Sequence, residues 1–129
     1  SIMENYVLEG TPKSPQVNFN AETGVLLLSG RSIPENAREF YRPMIEWVEK
    51  YNTSPKQQTT FDICLEYFNT SSSKALFDLF KTAEQLNLKG NSTVIVKWKY
   101  ENDDWEMRDA GLEYSRIIQI PVEMIEIDV

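Results

Sequence analysis

The chain has 129 residues, with 13 Lys and Arg against 20 Asp and Glu, which gives a formal net charge of −7 at pH 7. This length and a hydrophobic content of 41% suffice for one buried core, so we expect a single domain over residues 1–129. Nucleic acids and anionic membranes are bound by clustered Lys and Arg. The excess of acid therefore argues against both kinds of partner.

The chain has no histidine, which excludes catalytic triads that use imidazole and zinc sites with histidine ligands. Cys64 is the single cysteine and lies in an apolar run, so we expect a small buried hydrophobe rather than a reactive thiol. The start SIMENYVLEG lacks the basic and apolar regions of a signal peptide, and no apolar run reaches the ~18 residues of a membrane span. A cytoplasmic protein without membrane insertion is expected.

The N-terminal part predicts a flexible segment followed by an antiparallel hairpin. Residues 1–10 are expected to be a flexible N-terminus. The text VNFNAETGVLLLSG (residues 17–30) gives two apolar runs, and the turn-rich residues 20–24 separate them. This arrangement favours two paired strands.

An amphipathic helix is predicted next. Ser32 and Glu35 have the spacing of a capping box, and Pro34 fits the first helical turn, where its missing N–H costs nothing. Apolar residues continue at helical spacing to about Tyr51. Pro43 lies inside this pattern, so we expect a kink or two helical pieces.

The middle of the chain predicts a buried strand and a second helix. The segment TTFDICLEYF carries apolar residues at both odd and even positions, which is typical of a central strand covered on both faces. The text NTSSS that follows supplies several N-cap residues. An apolar stripe then predicts a helix that ends near Gly90.

The last third of the chain predicts strand, helix, strand. In residues 93–100 the side chains alternate between the two faces of a predicted strand, and one face is more polar than the other. The segment ENDDWEMRDAGLEYS has helical spacing, although Gly111 weakens the prediction, and residues 122–127 form a last strand. The order β-β-α-β-α-β-α-β predicts an α/β domain, a mixed β-sheet with amphipathic helices and parallel pairing through right-handed crossovers.

The junction at residues 67–74 is the candidate site, because functional groups of open α/β sheets lie where a strand turns into a helix. Three interpretations remain open. Asn69 or Thr70 is a simple N-cap, with Ser71 and Ser72 as ordinary first-turn residues. Alternatively, the positive helix end receives a phosphate that Lys74 also contacts. In the third, a hydroxyl is a nucleophile with Lys74 or a carboxylate as its base.

Other candidate sites have plainer explanations. The three tryptophans lie in apolar periodic segments, which is typical of packing rather than of ligand cages; they are Trp47, Trp98 and Trp105. Glu101, Asp103 and Asp104 lack the glycine turn and terminal glutamate of a calcium loop, so a solvated cluster is expected. The sequence predicts no catalytic residue, no cofactor and no metal.

The segment FDICLEYFNTSSSKALFDLF, preceded by SGRSIPENAREFY and followed by VIVKWKYENDDWEM, resembles the SiaC family of bacterial regulatory phosphoproteins. The resemblance runs from about Thr11 to Ile127. In layout the chain is also similar to the STAS domains of anti-sigma-factor antagonists, which place a phosphorylatable hydroxyl at the same turn. STAS antagonists usually read Asp-Ser-Ser-Gly there, so the text NTSS favours the SiaC-like branch.

The resemblance implies a single STAS-like domain that is not an enzyme but a phosphorylation-controlled switch in cyclic di-GMP signalling and biofilm formation. It implies that Thr70 is phosphorylated by a dedicated Ser/Thr kinase and dephosphorylated by a PP2C-like phosphatase. The unmodified form is expected to bind and activate a diguanylate cyclase. Asn69, Ser71, Ser72 and Lys74 would surround the phosphosite. Pro34, Glu35 and Asn36 would start a helix close enough to join the docking surface. A small enzyme or an anti-sigma-factor antagonist is the alternative.

Overall fold

The computed structural model describes residues 3–128, which form one mixed six-stranded sheet and three helices. The strands are β1 (Tyr6–Leu8), β2 (Gln16–Phe19), β3 (Val25–Ser32), β4 (Gln58–Phe68), β5 (Thr93–Glu101) and β6 (Val122–Ile127). The helices are α1 (Ala37–Tyr51), α2 (Thr70–Lys89) and α3 (Trp105–Ile117). The predicted α/β class and the predicted alternation of strands and helices from β2 onwards are confirmed.

The strands lie in the sheet in chain order, β1-β2-β3-β4-β5-β6. The pairs β1–β2 and β2–β3 are antiparallel, and β3 to β6 are parallel. The predicted hairpin joins β2 to β3, where Asn20 N–H donates to the Val25 carbonyl at 3.0 Å. Gly24 has a φ of 74°, a conformation that glycine adopts without strain.

The helices cover only one face of the sheet. Each parallel crossover moves one strand further in the same direction, and right-handed crossovers of this kind place every helix on the same side. On that side Leu28, Ile63 and Val96 are fully buried. On the other side Asp62 and Lys99 form an ion pair of 3.0 Å. The sheet is therefore one layer of a two-layer fold.

The prediction that β4 is a central strand covered on both faces is confirmed for its position and for one face only. The strand is central, since β3 and β5 flank it, and Phe61, Ile63 and Leu65 are buried beneath the helices. Cys64 is on the open face and is only half-buried. Partial burial raises the pKa of its thiol, with smaller contributions from the nearby carboxylates and against the opposing charge of Lys99. The sequence was misleading because Cys64 and Phe68 suggested a second covered face of the strand.

The predicted start of α1 was wrong. Ser32 is the last residue of β3 and is fully buried, and Pro34 lies in the loop before the helix. The N-cap is Asn36, whose side chain accepts from the Glu39 N–H at 3.2 Å. The capping-box spacing was therefore coincidental, and of residues 34–36 only Asn36 caps the helix. The helix continues through Pro43 as one element rather than two pieces.

The expectation of a flexible N-terminus is corrected by β1, which pairs with β2 in the register Tyr6↔Phe19. Trp47 Nε1 on α1 also donates to the Glu4 carbonyl at 2.9 Å. Both contacts hold the segment against the domain. Residues 1 and 2 lie outside the described residues.

Gly111, which weakened the prediction of α3, has a packing role. A Cβ at this position would collide with the ring of Trp98, and Trp98 Nε1 donates to the Met107 carbonyl at 2.8 Å. The missing side chain therefore lets α3 lie directly on the indole. Asp104 from the acidic cluster caps this helix, because its side chain accepts from the Met107 N–H at 3.0 Å.

Candidate functional site

The candidate site is the turn from β4 into α2, at the carboxyl end of the parallel strands. Asn69 is the N-cap of α2, with extended backbone angles of φ −86° and ψ 176°. Its side-chain oxygen accepts from the Ser72 N–H at 2.9 Å, and its own N–H donates to the Ser32 carbonyl at 3.1 Å. Asn69 thus starts the helix and also ties the turn to β3.

The hydroxyl groups of the first turn of α2 differ in accessibility. Thr70, the first helical residue, and Ser71 are exposed, whereas Ser72 is fully buried. Ser72 Oγ donates to the Ser32 carbonyl at 3.0 Å and accepts from Ser32 Oγ at 2.8 Å. An enzyme that modifies this turn can reach Thr70 and Ser71 but not Ser72.

A buried chain of hydroxyl groups supports the turn from behind. Tyr41 OH on α1 lies 2.7 Å from Ser32 Oγ, and since Ser32 donates onward to Ser72, Tyr41 is the donor to Ser32. Burial raises the pKa of the Tyr41 phenol well above its usual range, against the hydrogen bond with Ser32. The phenol therefore stays protonated. The hydrogen bonds from Tyr41 to Ser32 and from Ser32 to Ser72 connect α1, β3 and α2.

At the start of α2, no acidic residue of the first turn balances the positive end of the helix dipole. Its first turn carries no acidic residue, whereas α1 has Glu39 and α3 has Glu106 at the corresponding place. Lys74, one turn beyond Thr70, is 76% exposed, and its Nζ lies 3.5 Å from the Asp78 carboxylate. A helix N-terminus with an exposed lysine one turn away favours an added negative charge.

Two grooves flank α2. The groove towards α1 has a volume of about 470 Å³ and is lined in part by Glu35, Asn36, Ser71 and Lys74. The groove towards α3 has a volume of about 480 Å³ and includes Thr70. The structure thus brings Glu35 and Asn36 together with Ser71 and Lys74. Pro34 and Thr70 are not in that lining.

Tyr114 fixes α3 against the same turn. Its OH donates to the Ser73 carbonyl at 2.7 Å and lies 3.2 Å from Ser73 Oγ. Burial raises the pKa of Tyr114 to about 12, although the hydrogen bond with Ser73 opposes the shift. The first turn of α2 is therefore held by β3 on one side and by α3 on the other.

The sequence did not point to Ser32, Tyr41 or Tyr114 as parts of this site. Each is distant in the chain from residues 69–74, and tertiary contact alone brings them together. The available signal was a polar residue, Ser32, at the end of a strand that begins with an apolar run. Buried polar groups require partners, and that requirement predicts a hydrogen bond but does not name Ser72.

Within residues 3–128, no group of three or more carboxylates and thiols is arranged to hold a metal ion. None of the helices described combines the length and apolar character needed to cross a bilayer.

The fold and this junction define a class: a two-layer α/β domain of STAS-like layout that displays an exposed threonine at a strand-to-helix turn. The family model of the SiaC family regulatory phosphoproteins matches residues 8–127. The chain belongs to this family.

Similar proteins come from Pseudomonas aeruginosa. An uncharacterized protein of strain UCBPP-PA14 is 28% identical over 119 residues, which cover 92% of this chain and 94% of that protein. The crystal structure of apo-SiaC superposes with a TM-score of 0.86 at 28% identity, covering 95% of this chain and 99% of SiaC. The SiaC in the crystal structure of the diguanylate cyclase SiaD with its activator SiaC gives a TM-score of 0.88 at 26% identity, with the same coverage.

Proposed function

We propose that this protein is a phosphorylation-controlled activator of a diguanylate cyclase, with Thr70 as the phosphorylated residue. Membership of a family of regulatory phosphoproteins supports the class of function, and the relative SiaC is the activator of the cyclase SiaD. The observation that carries the site assignment is the exposure of Thr70 at the first residue of α2, beside a fully buried Ser72.

The modification cycle requires two further partners. A Ser/Thr kinase transfers the γ-phosphoryl group of ATP to Thr70 Oγ1, so the β–γ phosphoanhydride bond breaks, an O–P bond forms, and ADP and the hydroxyl proton leave. A PP2C-like phosphatase hydrolyses that ester with water and returns the threonine and inorganic phosphate. A kinase that uses ATP and a cyclase that uses GTP are consistent with a cytoplasmic site of action.

The proposed phosphate changes a surface rather than the core. It adds about −1.5 to −2 charges at a helix N-terminus, where negative charge is favourable. Lys74 and the unpaired N–H groups of the first turn would stabilise the phosphorylated domain. The same charge would repel an acidic or apolar partner surface and would make its desolvation costly. Unmodified protein would then bind the cyclase, and phosphorylated protein would not.

The geometry favours a regulator over the alternative of a small hydrolytic enzyme. The buried hydroxyl of the turn, Ser72, is bonded to Ser32 rather than to a lysine or a carboxylate. Lys74, the base that such an enzyme would need, faces Asp78. A nucleophile requires a base within hydrogen-bond reach, and the contacts of this turn serve to fix the backbone instead.

Mass-spectrometric mapping after incubation with the cognate kinase and ATP tests the site. We expect one phosphate per chain on Thr70, none on Ser72, and no incorporation in Thr70→Ala. Thr70→Ala should still bind the cyclase, because it adds neither charge nor bulk. Phosphate found on a residue remote from the turn, or unmodified protein that does not bind the cyclase, would contradict the proposal.

A further inference from the structure

Strand β6 forms one outer edge of the sheet. The strands lie in chain order, so β1 and β6 are the two outer strands. β1 has three residues, whereas β6 has six and pairs along its whole length with β5 on its inner side. Within residues 3–128 no strand pairs with the outer side of β6. A strand edge with unpaired backbone groups is a template for a further strand.

Alternate residues of β6 point their backbone groups towards this outer side. The Val96 N–H donates to the Pro121 carbonyl at 2.9 Å, so Pro121 faces β5. The Asn102 N–H donates to the Ile127 carbonyl at 3.1 Å, so Ile127 faces β5 as well. In a strand the N–H and C=O of one residue point to the same side, and the side alternates from residue to residue. The outward groups of β6 therefore belong to Val122, Met124 and Glu126.

β6 lacks the features that commonly protect an edge strand. Residues 122–127 read VEMIEI, with no proline, glycine or lysine, and the register with β5 runs from end to end without a bulge. Proline, lysine and bulges are the usual obstacles to pairing at an edge. The charges of the strand are those of Glu123 and Glu126, which are both exposed. They would oppose a further strand only where it placed another negative charge opposite them.

The edge of β6 is complementary to itself. With a two-fold axis through Met124, a second copy of β6 pairs antiparallel and places Met124 opposite its own counterpart and Val122 opposite Glu126. Each of these pairs exchanges two backbone hydrogen bonds, so all three outward residues are satisfied. Glu123 then lies opposite Ile125, and no glutamate faces another. An axis at Glu123 would place that residue opposite itself, and an axis at Ile125 would leave Val122 without a partner in the strand.

We propose that β6 is the contact of a symmetric dimer, in which two β6 strands pair antiparallel about Met124 and join two six-stranded sheets into one continuous sheet. The partner is a second copy of this chain, because hydrogen-bond direction and charge both match when the edge meets itself. The contact is a strand pair rather than a broad apolar face, so the dimer should be reversible and depend on concentration. None of residues 122–127 lines a groove beside α2, and the proposal is independent of the proposed function.

Self-association of the unmodified full chain tests the contact without the kinase or the cyclase. Sedimentation velocity in about 0.15 M salt screens the repulsion between two chains of net charge −7 beyond about 8 Å. A monomer should convert to a dimer as the concentration rises. A monomer at every concentration up to about 1 mM would overturn the proposal and would leave the proposed function untouched.

Two substitutions of Ile125 test the register with charges of opposite sign. Within one chain Ile125 is the cross-strand neighbour of Lys99, so Ile125→Glu suits the monomer better than Ile125→Lys does. Across the two-fold axis Ile125 lies opposite Glu123 of the second copy, so the preference is reversed. Ile125→Glu should weaken dimerisation about tenfold or more, and Ile125→Lys should stay within about threefold of the unmodified protein or bind more tightly. Equal effects of the two variants, or stronger weakening by Ile125→Lys, would overturn the register.

A second matched pair tests the backbone pairing. The outward N–H of Glu126 makes no bond to β5, so Glu126→Pro removes a hydrogen bond from the dimer and none from the sheet. Glu126→Ala removes the same side chain and keeps the N–H. Only Glu126→Pro should weaken dimerisation, by about tenfold or more, while circular dichroism shows both variants folded. Equal dimerisation of the two folded variants would show that the contact does not use this edge and would overturn the proposal.

Discussion

Ser71 and Ser72 are adjacent residues of one chemical type with opposite environments. Ser71 Oγ is exposed, with only a 3.5 Å contact to Asn69. Ser72 Oγ is fully buried and holds both hydrogen bonds that join α2 to Ser32. A buried polar group that loses its partner costs far more than an exposed one, so equal substitutions at these sites should have unequal effects.

Ser72→Ala should lower the free energy of unfolding by about 1–3 kcal/mol, because the Ser32 hydroxyl and carbonyl lose a buried partner. Urea titration measures the change. The control is Ser71→Ala, which should stay within about 0.5 kcal/mol of the wild type. Similar values for the two variants would show that the hydroxyl chain from Tyr41 to Ser72 contributes nothing to stability.

Lys74 should matter more in the phosphorylated protein than in the unmodified one. Its contact with Asp78 is long and exposed, and exposed ion pairs contribute about 0–1 kcal/mol. A phosphate on Thr70 offers Lys74 a stronger partner about one helical turn away. Thermal unfolding should therefore show a larger loss for Lys74→Ala after phosphorylation than before it. The control is Lys89→Ala at the other end of α2, and equal losses in both states would leave Lys74 with no role towards the phosphate.

At the scale of the elements, Gly111 shows how tertiary packing overrides helix propensity. Alanine is the better helix former by about 1 kcal/mol. The site nevertheless has no room for a methyl group, because the Trp98 ring occupies it. The structure therefore predicts a change opposite in sign to the one that propensity predicts.

Gly111→Ala should destabilise the domain by about 1–3 kcal/mol through overpacking against Trp98. The change in tryptophan fluorescence during urea unfolding measures it. Asp109→Ala is the control, since Asp109 is an exposed residue of the same helix and this change should be neutral or slightly stabilising. A stabilising effect of Gly111→Ala would mean that α3 can move away from the indole at little cost.

Periodicity was sufficient to predict the hairpin, the three helices, the central strand and the position of the candidate turn. It failed where contacts between distant residues decide the outcome. Ser32 matched a capping pattern, but its burial against Ser72 keeps it in β3. The three-residue strand β1 is too short to show a period, and pairing with β2 forms it. The sheet has one covered face instead of two because its parallel crossovers all advance in the same direction. The composition of the sequence does not encode that direction.

The candidate site was predictable only in part. The positions of Asn69 and Thr70 at a helix start follow from residue types that favour caps. The inaccessibility of Ser72 and the separation of Thr70 from Ser71 into different grooves depend on where α1 and α3 lie. Helix packing sets those positions, and no local pattern in residues 67–74 contains them.

At the scale of the whole molecule, Glu84 connects the stability of the domain to pH. It is nearly buried on α2, pairs with Lys81 at 2.7 Å and accepts from the Gln119 N–H at 2.6 Å. Burial acts to raise the pKa of Glu84, but the hydrogen bonds from Lys81 and Gln119 and the charge of Lys81 outweigh it, so the pKa lies below its usual value. The carboxylate thus stabilises the link between α2 and the segment before β6.

A lowered pKa in the folded state contributes stability above the unfolded value of about 4.3 and loses it as the pH falls through the folded value. Glu84→Gln should therefore be less stable than wild type at pH 7, and the difference should shrink as the solution becomes acidic. Urea unfolding across that range measures it. Glu49→Gln, a change at an exposed residue of α1, is the control, and a difference for Glu84→Gln that does not depend on pH would contradict the linkage.

The central claim is that a phosphate on Thr70 ends cyclase binding and leaves the domain folded. The most direct measurement compares the affinity of the full-length cyclase for unmodified protein with its affinity for protein phosphorylated only on Thr70, and then for the same sample after phosphatase treatment. We predict affinity weaker by about tenfold or more on phosphorylation, full recovery afterwards, and nearly unchanged circular dichroism throughout. Equal affinity in the two states, or loss of the folded spectrum on phosphorylation, would contradict this account.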